Sequence, residues 1–155
     1  MSRPKAAVIH VDVQIAGVFS EIPSEERLAN WASETLEQVS ADAEVVIRVV
    51  DENESAQLNS RYRDKPGPTN VLSFPAEAPP GVEAALLGDI VVCAPVVARE
   101  AAEQAKEPEA HWAHMVVHGA LHLLGHDHRE KEEAEKMEAL ETRILGRLGY
   151  SNPYL

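Results

Sequence analysis

Apolar and polar residues alternate strictly near the start of the chain. Ile9, Val11, Val13 and Ile15 fall on one side of an extended backbone, and His10, Asp12 and Gln14 on the other. This predicts a half-buried strand over 7–15. From Ser24 the period lengthens. Leu28, Trp31, Ala32, Thr35, Leu36 and Val39 share one stripe of a helix over about 25–39, with Ser24 as its cap and Glu25 and Glu26 in the favourable first turn. A strand follows at 44–50, then a short helix over about 53–62 that starts at Asn53 and is expected to bury Leu58 and Tyr62. The stretch Arg63-Asp64-Lys65-Pro66-Gly67-Pro68 cannot continue a helix.

Further along, the pattern predicts a strand at 70–74, a Pro-rich loop at 75–85 and a strand at about 89–93. Pro95 suits the first turn of a helix ending near Lys106. An almost wholly apolar helix runs over about 109–124 and stops at Gly125. The last helix, 130–148, keeps Met137, Leu140, Ile144 and Leu148 on one face, and its acidic other face reads as solvated surface. Four strands early and about five helices, clustering late, predict one domain over 1–155. Its class is α/β (α+β), an about four-stranded mixed sheet packed by helices. Periodicity does not reveal the strand order.

The net charge of −12 argues against general affinity for nucleic acid, because phosphate backbones seek Lys and Arg. Cys93 is the only cysteine, so no internal disulfide forms, which fits a reducing cytoplasm. Its setting, Ile90-Val91-Val92-Cys93, reads as a strand and the thiol as a small core group. No long uncharged run opens the chain, so neither a signal peptide nor a membrane span is expected.

The candidate chemistry lies in His118-Gly-Ala-Leu-His122-Leu-Leu-Gly125-His-Asp-His128. His118 and His122 are four apart, so on a helix both project from one face and can grip one metal ion. In a continued helix His128 would sit about 15 Å beyond His118. The chain must therefore turn back, and Gly125 permits it. H-x3-H-x2-G-x2-H thus reads as two ligands at the end of a buried helix, a turn and a third ligand, with His126 in the turn as the rival third. Three neutral imidazoles leave a tetrahedral Zn2+ one position for water or substrate, a catalytic rather than a closed structural pattern. His114 lies one turn before His118, about 12 Å along the axis from His122, and reads as a helix-surface or substrate-facing residue. His111 reads as an ordinary core histidine. Asp127 either orients a ligand ring or serves the turn.

The spacing also looks like the extended zinc-peptidase pattern H-E-x-x-H-x-x-G-x-x-H, but Gly119 stands where the glutamate base belongs. A glycine inside a helix costs about 1 kcal/mol relative to alanine, so it reads either as a close approach or as tolerated packing. Arg61, Arg63 and Lys65 form a basic patch in an acidic chain. The triplet reads either as solvated surface or as a phosphate contact, with Arg63 aimed by the rigid turn that follows it. Asp89 is either a general base or a strand-edge turn residue.

Three stretches in order, "YRDKPGPTNVLSFP", "LLGDIVV" and "HGALHLLGHDH", resemble the YbeY family of bacterial endoribonucleases over nearly the whole chain. The resemblance implies a single-domain α/β fold and a metal-dependent, single-strand-specific endoribonuclease of ribosomal RNA maturation and ribosome quality control. It places the family's zinc histidines on His118, His122 and His128 and its functional arginine on Arg63. Two departures stand out. The family commonly has tyrosine where this chain has His126, and "RDKPGPTN" replaces "RGKDKPTN" at unchanged length.

The expected function is therefore cleavage of single-stranded RNA at the small-subunit rRNA 3′ end with one Zn2+. Arg63 is the catalytic residue, and Arg61 and Lys65 bind substrate. The expected partners are rRNA, small-subunit ribosomal proteins and an assembly GTPase, with no DNA or membrane. The charge conflict eases if a local positive field in a cleft suffices while the acidic remainder repels arbitrary RNA. The alternatives are a zinc hydrolase of peptide or amide bonds, and a non-catalytic ribosome-assembly factor that uses zinc to fold.

Overall fold

The computed structural model describes residues 8–38, 42–76, 86–127 and 129–155. Its elements are β1 (Ile9–Ile15), α1 (Glu25–Thr35), β2 (Ala43–Val50), α2 (Glu52–Arg63), β3 (Val71–Pro75), β4 (Leu86–Cys93), α3 (Ala94–Glu103), α4 (Pro108–Leu123) and α5 (Lys131–Arg147). A 3₁₀ turn over Leu36–Gln38 carries α1 into the stretch predicted as its end. Val39, His128 and most of the Pro-rich loop lie outside the described residues. The class is α+β, a single domain.

The four strands form one mixed sheet in the order β1-β2-β4-β3. β1 pairs with β2 and β2 with β4 in parallel, whereas β3 pairs with β4 antiparallel. Alternation decides the faces. Val45, Ile47 and Val49 on β2, with Ile90 and Val92 on β4, enter the main core against α1 and α4. Val50, Leu72, Val91 and Cys93 turn to the other face, where Leu58 of α2 and Phe74 pack on them. The β1 alternation holds from Ile9 to Gln14, with Ile9, Val11 and Val13 partly buried and His10, Asp12 and Gln14 exposed, whereas Ile15 at the strand's end is exposed rather than buried. Burial pushes the Cys93 thiol pKa up, as suits an inert core group.

α4 is the central element. His111, Trp112, Ala113, Met115, Val116, Val117, Ala120 and Leu121 are all buried, so it is apolar on nearly every side, as a helix must be that packs between a sheet and other helices. It meets α1, α3, α5, β3 and β4. The site histidines therefore sit on a helix with little freedom to shift.

Two expectations need correction. α2 begins a residue earlier than predicted, because Asp51, not Asn53, caps it, its side chain accepting from the Glu54 N–H at 2.9 Å. Tyr62 is 58% exposed rather than buried. Only Leu58 of the expected pair packs inward, and the Tyr62 ring lies edge-on to Phe74 at 5.3 Å. Among the described residues no helix is long and apolar enough to cross a membrane.

Candidate metal centre

His118 and His122 project from the last two turns of α4. Their Nε2 atoms lie 3.1 Å apart, and the rings meet at 77° with centroids 4.6 Å apart. Two imidazole nitrogens bound to one tetrahedral ion at about 2.0–2.1 Å would be about 3.3 Å apart. The pair thus already has the spacing that a shared ion imposes.

The helix then ends as the glycine requires. Gly125 has φ +96°, and its N–H reaches the His122 carbonyl at 3.0 Å while the His126 N–H reaches that of Leu121 at 3.1 Å. These two bonds satisfy carbonyls that the helix end would leave bare and turn the chain back. His126 and Asp127 follow, half-buried. Asp127 pairs with the exposed Arg129 at 3.1 Å. The predicted third ligand, His128, lies outside the described residues.

A residue the sequence reading missed sits behind His118. Glu141 of α5 is 1% exposed. Its Oε1 is 3.2 Å from His118 Nδ1. Its Oε2 is hydrogen-bonded to His114 Nε2 and accepts from the Tyr154 hydroxyl at 2.9 Å. His114 is therefore buried against Glu141, not on the helix surface as expected. Burial alone would raise the Glu141 carboxyl pKa. The hydrogen bonds and charge of His114 and His118 outweigh it and bring it down to about 2. Burial, then the Glu141 charge, pushes the Tyr154 phenol up. A signal for Glu141 existed, since it lies four residues after Met137 and four before Leu145, on the buried stripe of α5 rather than its acidic face.

The donor set fits a metal ion in two ways. The ligand atoms of His114, His118 and Glu141 all lie within 4.8 Å of one another, a group that can hold an ion. The alternative uses the Nε2 pair of His118 and His122, with Glu141 bonded to the far nitrogen of His118. The second arrangement uses the closer nitrogen pair and matches the way metal-bound histidines usually present their other N–H to a carboxylate.

Gly119 has a packing reason. A Cβ there would come within 2.7 Å of Ile90 Cγ2 and 3.2 Å of both Ser73 Oγ and Val71 Cγ2. Only a bare backbone lets α4 lie this close to β3 and β4. The Ser73 hydroxyl uses the proximity to donate to the Gly119 carbonyl at 2.8 Å. Arg63, at the end of α2, donates from a terminal guanidinium nitrogen to the Ser73 carbonyl at 3.4 Å. The arginine is thus one residue removed from direct contact with the histidine helix. Its partner Arg61 lies 5.6 Å over the Tyr62 ring, and Lys65 is exposed. Among the described residues no hydrogen bond or ion pair joins either to the histidines. Asp89 lines a groove of about 430 Å³ with Val46, Val91, Tyr62 and Phe74. That groove is on the sheet face away from α4, which its neighbour Ile90 meets, so Asp89 is on the wrong side to act as base at the histidines.

Two comparisons bear on this arrangement. The family model described as Endoribonuclease YbeY matches residues 16–149. The solution structure of TM1509 from Thermotoga maritima is similar at 27% identity, with 94% of this chain and 98% of that chain covered and a TM-score of 0.56.

Proposed function

This chain belongs to the YbeY endoribonuclease family, and from that premise we propose that it is a zinc-dependent, single-strand-specific endoribonuclease that matures the 3′ end of small-subunit rRNA and serves ribosome quality control. The observation that carries the metal reading is the His118–His122 nitrogen pair, 3.1 Å apart, with a buried carboxylate behind His118. His118, His122 and His128 hold one Zn2+. Bound there, the ion supplies positive charge and a more acidic water.

The protein's own groups do the rest. α4, clamped between sheet and helices, holds the two ring nitrogens in place before substrate arrives, so little reorganisation is needed. Arg63 carries fixed N–H donors that suit a phosphodiester gaining negative charge in its transition state. Arg61 and Lys65 meet flanking phosphates. The remaining surface is acidic, so affinity for arbitrary RNA is weak and steeply salt-dependent, and delivery falls to small-subunit ribosomal proteins and an assembly GTPase. The whole of 1–155 works as one such domain in the cytoplasm, without DNA or membrane.

The test is digestion by zinc-loaded protein of a single-stranded RNA, its duplex form and an unfolded protein. Cleavage confined to the single strand supports the reading. Proteolysis without RNA cleavage refutes it. A cyclic phosphate on the products identifies the ribose 2′-hydroxyl as nucleophile.

A further inference from the structure

Building on the metal reading above, we infer that Glu141, secured by Tyr154 near the C-terminus, is the positioning residue that sets the tautomer of His118 and the affinity of the site. Burying a carboxylate is costly unless it is paired and hydrogen-bonded. Glu141 lies among Met137, Ile144 and Leu145, all buried, where an apolar side chain would pack without that cost. Among the described residues it has three partners instead, His118, His114 and Tyr154, none of them a lysine or arginine.

The consequence falls on His118. A carboxylate 3.2 Å from Nδ1 keeps the imidazole proton on that nitrogen. The lone pair is then on Nε2, the atom that faces His122 Nε2. Without the carboxylate the proton is free to occupy either nitrogen, and part of the population presents N–H to the ion. Glu141 acts through His118 and is not itself a ligand. Oε1 is engaged by His118, and Oε2 by His114 and Tyr154. Ligation by Glu141 alongside His118 Nδ1 would leave the close Nε2 pair unused.

Tyr154 holds the carboxylate from the other side. α5 ends in a turn at Gly149, with the Tyr150 N–H reaching the Leu145 carbonyl at 2.8 Å, and the tail folds back. Lys106 Nζ donates to the Pro153 carbonyl at 2.9 Å, and the Tyr154 N–H to Asn152 Oδ1 at 2.8 Å. Two hydrogen bonds thus separate the C-terminal tail from a metal-binding ring.

The experiment measures zinc affinity by competition with a chromophoric chelator, for wild type, Glu141→Gln and Tyr154→Phe. Visible spectra of the cobalt-loaded proteins and melts of the metal-free forms accompany it. Glu141→Gln keeps shape but loses charge and one acceptor oxygen, and weakens zinc binding by about 10–100-fold. Tyr154→Phe removes one hydroxyl and weakens it by a smaller factor, about 2–10-fold. The cobalt band pattern stays, because the ligands stay. Zinc affinities within twofold of wild type in both variants overturn the inference and leave the proposed function standing. A Glu141→Gln cobalt spectrum that shows a lost ligand also overturns it, by making Glu141 part of the coordination. If wild type itself binds no zinc, the metal reading falls and takes the inference with it.

Discussion

Alanine at position 119 should destabilise this protein although it is a better helix former than glycine. In an unencumbered helix the exchange gains about 0.5–1 kcal/mol. At 119 the new methyl would meet Ile90 Cγ2 at 2.7 Å, with Ser73 Oγ and Val71 Cγ2 at 3.2 Å. Ile90 is fully buried and paired on both flanks, to Ile47 and to Ser73, so it cannot step aside. Overpacking of this kind costs about 1–3 kcal/mol. Moving α4 outward to relieve it stretches the 2.8 Å bond from Ser73 to the Gly119 carbonyl, worth about 0.5–1.5 kcal/mol. The net expectation is a loss of about 1–3 kcal/mol, or a melting temperature lower by about 3–10 °C at this chain length. Gly146 of α5 is the control, since a Cβ there meets nothing within 4 Å, and Gly146→Ala should gain up to about 1 kcal/mol. Urea unfolding of the metal-free proteins reads both without contribution from the ion. Gly119→Ala as stable as wild type would refute the close-approach account.

Three other outcomes follow from the same structure. Arg63→Ala should lower the cleavage rate at saturating single-stranded RNA by about 10²–10³-fold, as loss of a transition-state charge donor does. Zinc content should not change, and stability should stay within about 0.5 kcal/mol because the side chain is exposed. A strong chelator should abolish cleavage while the far-ultraviolet circular dichroism persists, because the core built on Leu28, Ile47, Ile90, Trp112 and Leu121 is independent of the ion. Global unfolding on chelation would favour a structural zinc. His111 is held below the ordinary histidine value by burial, which outweighs its contact with Glu100. The unfolded chain therefore takes up more protons than the folded one as pH falls below about 6.5, and the stability His111 contributes is complete above that value and lost as pH drops through the folded one. Proton-monitored titration of the His111 ring should find its midpoint below the ordinary histidine value of about 6.5, and a midpoint at or above that value would contradict the sign.

Much of this was legible in the chain because the strongest signals are local. The period-2 run of β1 and the continuous apolar run of α4 depend only on which face each residue takes. The His118–His122 spacing and the Gly125 turn are likewise properties of one helix and its end. What was hidden arises between elements. Glu141 falls on the buried stripe of an otherwise acid-rich helix, and a carboxylate inside is explicable only once His114, His118 and Tyr154 converge on it from α4 and the tail. The reason for Gly119 lies 29 residues upstream at Ile90 and 46 upstream at Ser73. Tyr62 lies outside although its spacing from Leu58 puts both on one helix face, because α2 ends at the rim beside Phe74. Strand order, with β4 inserted between β2 and β3, is a matter of long-range pairing that no local period encodes.

The central claim is that the end of α4 and the chain that turns back from it gather three imidazoles on one ion. Elemental analysis of the purified protein beside His118→Ala, His122→Ala and His128→Ala tests it most directly. The account predicts one zinc per chain in the wild type and at least a tenfold loss of occupancy at limiting zinc in each variant, with circular dichroism unchanged. Full zinc occupancy at limiting zinc in any one of the three variants would contradict it.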